Sequence, residues 1–81
     1  MLKNDLKARR SGRGWTQAEL AERVGVSRKT INTVENNVFI PSTILALKLA
    51  RALQVPVEQL FWLEGDQAAF RPGGTAPDAA L

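Results

Sequence analysis

The chain is 81 residues long, 44% hydrophobic, and carries 11 Lys and Arg against 8 Asp and Glu, with no His and no Cys. That is the size of one small domain. Without His or Cys its own side chains cannot build a zinc site, a thiol nucleophile, an imidazole acid/base pair or a disulfide, so stability must come from apolar packing.

No catalytic residue, metal site or cofactor is expected. Asp5, Glu19, Glu22 and Glu35 show no paired-carboxylate spacing, and no glycine-rich phosphate loop is present, so the chain does not read as an enzyme. No apolar run reaches the ~18 residues that span a bilayer. The opening Met1-Leu2-Lys3-Asn4-Asp5 lacks the apolar stretch of a secretion signal, and a soluble, cytoplasmic protein is expected. Residues 1–51 hold ten basic against four acidic side chains, whereas residues 52–81 hold one against four. This asymmetry suits either a basic face for a polyanion or an ordinary solvated surface.

In chain order, Asn4 is placed to cap a helix from Asp5 to about Ser11, ended by Gly12 and Gly14, with Leu2 and Leu6 inward and Lys7, Arg9 and Arg13 outward. Thr16-Gln17-Ala18-Glu19 fits a capping box, in which a hydroxyl and a carboxylate satisfy each other's orphan N–H groups. The second helix runs to Val24 with Ala18, Leu20, Ala21 and Val24 at helical spacing, and Gly25 ends it. Ser27 caps a third helix that points Ile31 and Val34 inward and stops near Asn36-Asn37. Val38-Phe39-Ile40-Pro41 reads as a loop whose Phe39 and Ile40 plug the core, with Trp15 and Leu20 also in it.

Ser42 or Thr43 caps a fourth helix, whose Ile44, Leu45, Leu47, Leu49, Ala50 and Leu53 are enough to bury more than one side. Pro56 opens a fifth helix that continues through Leu60, Phe61 and Leu63 to Gly65. The expected fold is all-α, a compact five-helix bundle over residues 1–65 with no sheet. Residues 66–81, with Pro72-Gly73-Gly74, Pro77 and scattered alanines, read as a mobile tail.

Only Gly25-Val26 separates the second and third helices, and small residues at their crossing permit close approach. This is helix-turn-helix geometry. Gln17, Ala21, Gly25, Ile31 and Val34 form one constellation inside the basic segment, which points to DNA. Through Gly14-Trp15-Thr16-Gln17-Ala18-Glu19-Leu20-Ala21, Val24-Gly25-Val26-Ser27-Arg28-Lys29-Thr30-Ile31, Val34-Glu35-Asn36, Pro41-Ser42 and Leu45 to Leu53, the chain resembles the XRE-like, phage repressor and Cro-type helix-turn-helix family. The resemblance covers about residues 3–64. It implies a repressor-like bundle of five helices that binds operator DNA, commonly as a dimer, and regulates transcription. Asn37 stands where the family often has glycine.

A helix in the major groove reads base edges from its first turns, so with Ile31 and Val34 inward the base-reading candidates are Arg28, Lys29, Asn32 and Thr33. Arg28 suits bidentate pairing with guanine, Lys29 either guanine or phosphate, and Thr33 a thymine methyl. Asn32 suits adenine if it faces the groove, and otherwise solvent or backbone. Gln17, at a helix start where N–H groups favour an anion, is a phosphate candidate, which the resemblance also implies. Ser27 and Thr30 are phosphate candidates too, Ser27 being equally a plain cap. The resemblance adds Asn36 as a phosphate contact and an Arg10–Glu35 salt bridge as structure.

Phe61 and Trp62 lie ~100° apart on a helix, so one of them stays accessible. Trp62, Leu63 and Leu60 are the candidate contacts of a homodimer, the alternative being a tryptophan that covers the fourth helix. Double-stranded DNA is the expected partner, with no membrane. The expected function is sequence-specific DNA binding by a dimeric regulator, a repressor. The competing reading is an antitoxin-like protein-interaction module, or the DNA-targeting subunit of a larger assembly, that uses Trp62 and the tail.

Overall fold

The computed structural model describes residues 1–65, so the expected tail, residues 66–81, lies outside the described residues. The elements are β1 (Leu2–Asn4), α1 (Leu6–Gly12), α2 (Gln17–Val24), α3 (Arg28–Glu35), α4 (Thr43–Leu53), α5 (Val57–Leu60) and β2 (Phe61–Leu63). Five helices pack around Leu6, Leu20, Ile31, Val34, Leu49 and Leu60, all essentially inaccessible.

Local signals set most helix ends. The Thr16 side chain accepts from the Glu19 N–H while the Glu19 carboxylate accepts from the Thr16 N–H, closing the expected capping box. Gly25 takes φ 76°, the left-handed conformation that glycine adopts without a Cβ penalty. Ser42, not Thr43, caps α4 by accepting from the Leu45 N–H at 3.1 Å. Asn37 adopts φ 61°, so asparagine holds the backbone as a glycine there would.

The expectation of a sheet-free fold is overturned. The fifth helix ends at Leu60, and Phe61–Leu63 pairs antiparallel with Leu2–Asn4, Lys3 opposite Trp62. Strand alternation resolves the placement of adjacent aromatics, burying Phe61 and leaving Trp62 partly covered. Leu2 consequently sits in β1 and not on the first helix. The Asn4 side-chain Oδ1 accepts from the Leu6 N–H as a cap would, but its Nδ2 donates to the Val34 backbone carbonyl, tying β1 to the end of α3.

Three further expectations fail. Phe39 and Ile40 do not plug the core: the N–H groups of Val38 and Phe39 both donate to the Thr33 carbonyl, wrapping the loop around the end of α3, and Ile40 is 73% exposed. α4 buries only the face carrying Leu45, Leu49, Ala50 and Leu53, leaving Ile44 and Leu47 exposed. Trp15 packs against the core's edge and is covered by cations, with the guanidinium of Arg23 4.1 Å and that of Arg13 5.4 Å from its ring centre.

Candidate nucleic-acid interface

α2 and α3 meet through a turn in which the Val26 N–H donates to the Ala21 carbonyl at 3.0 Å. Ser27 then caps α3, its hydroxyl oxygen accepting from the Thr30 N–H at 3.1 Å and lying 3.0 Å from the Thr30 hydroxyl. Burying Ile31 and Val34 decides the rotation of the eight-residue α3. Arg28 and Lys29 are thereby exposed at its first turn, and Thr30, Asn32 and Thr33 are partly exposed. Neither Arg28 nor Lys29 enters an ion pair among the described residues. The Thr33 hydroxyl donates to the Thr30 carbonyl at 3.0 Å, so its proton is already used.

Arg10 and Glu35 form the salt bridge that the resemblance implies. The Arg10 Nε donates to the Glu35 Oε2 at 2.6 Å, and the side chains are only 12% and 2% exposed. Arg10 also donates to the Trp15 carbonyl, and the Gln17 amide donates to the second Glu35 oxygen at 3.0 Å. The Asn32 amide nitrogen lies 3.5 Å from the Gln17 carbonyl oxygen, and the Asn36 amide donates to the Asn32 backbone and side-chain oxygens. Gln17, Asn32 and Asn36 are thus one hydrogen-bonded group around a buried carboxylate. Helix position and the resemblance had marked them as three separate DNA contacts.

Arg13, read as part of an outward basic face, instead donates to the Leu53 carbonyl and the Gln54 side chain, closing the C-terminal end of α4. No sequence signal marks this contact, because its partners lie about forty positions away. Leu60 is fully buried and cannot serve as a dimer contact, since it belongs to the core at the end of α5. Trp62 is partly accessible and Leu63 is 56% exposed. Among the described residues no cluster of acidic side chains is suited to a metal ion, and no helix is long and apolar enough to cross a membrane.

The family model described as helix-turn-helix matches residues 6–60. An uncharacterized HTH-type transcriptional regulator of Bacillus subtilis, YgzD, is 41% identical over 63 residues, which is 78% of this chain and 96% of that protein. The antitoxin HipB of Escherichia coli O6:H1 is 37% identical over 54 residues, covering 67% of this chain and 57% of the antitoxin. Among solved structures, the restriction-modification controller protein C.AhdI of Aeromonas hydrophila superposes with a TM-score of 0.64 at 31% identity, over 67% of this chain and 82% of that one. With a capped helix pair joined by the three residues Gly25, Val26 and Ser27 at its centre and these likenesses along its length, the chain belongs to the XRE-type helix-turn-helix family of DNA-binding transcriptional regulators.

Proposed function

We propose that the chain is a sequence-specific repressor that occupies an operator as a homodimer and performs no chemical step. The observation that carries this reading is that Arg28 and Lys29, on the first turn of a helix whose opposite face is locked into the core, are exposed and in no ion pair among the described residues. On this reading Arg28 pairs with guanine, Lys29 with guanine or phosphate, and Thr33 and Asn32 contact neighbouring bases. Gln17, Ser27, Thr30 and Asn36 hold phosphates, which set register without carrying sequence information. A dimer places its two copies of α3 in successive major grooves ~34–36 Å apart, occluding polymerase. Trp62 and Leu63 supply its contact surface.

Selection of bound duplexes from a random library tests the reading. The parent chain is expected to enrich one two-fold-related motif, and Arg28→Ala and Lys29→Ala to relax preference at separate base pairs. Equal binding of every duplex, with Arg28→Ala changing no preference, overturns it. The similarity to HipB favours a second reading, an antitoxin-like module that also binds a protein. A partner that copurifies in fixed stoichiometry and shields Trp62 from a fluorescence quencher supports that reading.

A further inference from the structure

The Glu35 side chain is nearly inaccessible and salt-bridged to Arg10, and both of its oxygens receive donors, as a paired carboxylate accepts hydrogen bonds and donates none. The polarity of every amide attached to it follows. Gln17 must turn its NH2 toward Glu35 Oε1, 3.0 Å away, which leaves the Gln17 carbonyl oxygen facing Asn32. That oxygen accepts only, so Asn32 must present its own NH2 at 3.5 Å. On its other side the Asn32 Oδ1 receives the Asn36 amide at 3.3 Å, and the same Asn36 nitrogen is held to the Asn32 backbone oxygen at 2.9 Å. The Asn32 amide is therefore clamped between an acceptor and a donor, and a flip would oppose oxygen to oxygen and nitrogen to nitrogen. It keeps one free N–H and one free lone-pair site, the pair that adenine N7 and N6–H2 complement in the major groove.

We infer that Glu35 is a positioning residue for base reading: acting through Gln17, it sets which way the Asn32 amide faces and so makes Asn32 a reader of adenine. The inference rests on the proposed placement of α3 in the major groove. It gives the Arg10–Glu35 pair a role beyond holding α1 to α3, because the guanidinium supplies donors to both oxygens of the same carboxylate and fixes its orientation. Gln17 serves both ends of the interface. One amide hydrogen goes to Glu35, and the other remains for a phosphate oxygen.

The test uses Asn32→Ala, Gln17→Met and Glu35→Gln in library selections, followed by titration of the full chain with the selected duplex and its single-base variants. Asn32→Ala is expected to abolish preference for A·T at one base pair, a discrimination of about 5- to 150-fold for a good bidentate contact. Gln17→Met leaves the Arg10–Glu35 pair in place. It should weaken all duplexes through the lost phosphate contact and, in addition, cut the A·T preference at that same pair at least ~3-fold, a small part of one bidentate contact's worth. Glu35→Gln, where it folds, should relax the same pair and no other. If Gln17→Met weakens every duplex evenly and leaves that preference intact, Gln17 is only a phosphate contact and the inference falls while the proposed function stands. If Asn32→Ala alters no preference although Arg28→Ala does, Asn32 is no reader, and the inference falls with its own premise. If no variant alters any preference, the proposed function falls as well.

Discussion

At Gly25 an added Cβ would meet no atom within 4 Å, so the need for glycine there comes entirely from its φ of 76°. Gly25→Ala is expected to destabilise the fold by about 1–2 kcal/mol, the cost of placing an L-residue in the left-handed region, as a shift in the urea midpoint at unchanged slope. Arg10 and Glu35 pose the opposite problem, because what matters is the charge left behind. Glu35→Leu alone strands a largely covered guanidinium and should cost about 3–5 kcal/mol. The double variant Arg10→Met with Glu35→Leu should cost clearly less than the two single substitutions combined, since it removes both charges together. Chemical denaturation of the four proteins measures the coupling.

Packing of their buried faces together with their caps, and not length, stabilises α2 and α3, since helices of eight residues are too short to persist alone. Ser27→Ala removes the acceptor for the Thr30 N–H and should lower stability by about 1 kcal/mol. Because it frees the first turn of α3, where Arg28 and Lys29 sit, it should also raise amide hydrogen exchange there more than in α4. α5 shows how a helix signal yields to pairing. Pro56 stands one position ahead of it, as an extended N-cap and not as its first residue, and after one turn the backbone extends again at Phe61, whose φ and ψ are −130° and 139°. The groups it withdraws from the helix ladder are taken up in part by β1, and the Glu64 N–H donates to the Met1 carbonyl beyond the strand.

For the whole molecule, the net charge of +3 understates the interface, yet several of its cations are occupied inside the fold. Arg10 is paired with Glu35, Arg13 holds the end of α4, and Arg23 lies over Trp15. The cations left for phosphates are consequently fewer than the basic segment carries. Affinity should fall linearly on a log–log plot against salt, with a slope of about −0.9 per phosphate neutralised. A slope near zero in a salt titration contradicts a phosphate-anchored complex. Sedimentation across a wide concentration range, with and without the selected duplex, should show a dimer that Leu63→Glu weakens. A monomer under all of these conditions removes the proposed two-fold arrangement.

The ends of α2, α3 and α4, the turn at Gly25-Val26 and the inward rotation of Ile31 and Val34 were legible in the sequence because each depends on residues a few positions apart. A cap, a left-handed glycine and a 3.6-residue period carry their causes with them. The pairing of Leu2–Asn4 with Phe61–Leu63 was not legible, since its hydrogen bonds join segments nearly sixty positions apart and three-residue strands have no period to detect. Exposure of Ile40 and burial of Leu60 were equally hidden: apolar composition says that a side chain gains from burial, and only the packed neighbours decide whether room exists. The sequence by itself determined a capped helix pair presenting Arg28 and Lys29. The Arg10–Glu35 pair was implied by the resemblance, but the tertiary structure alone joined Gln17, Asn32 and Asn36 to it, because hydrogen bonding acts through space over about 3 Å and the chain brings those groups together only once α1, α2 and α3 are packed.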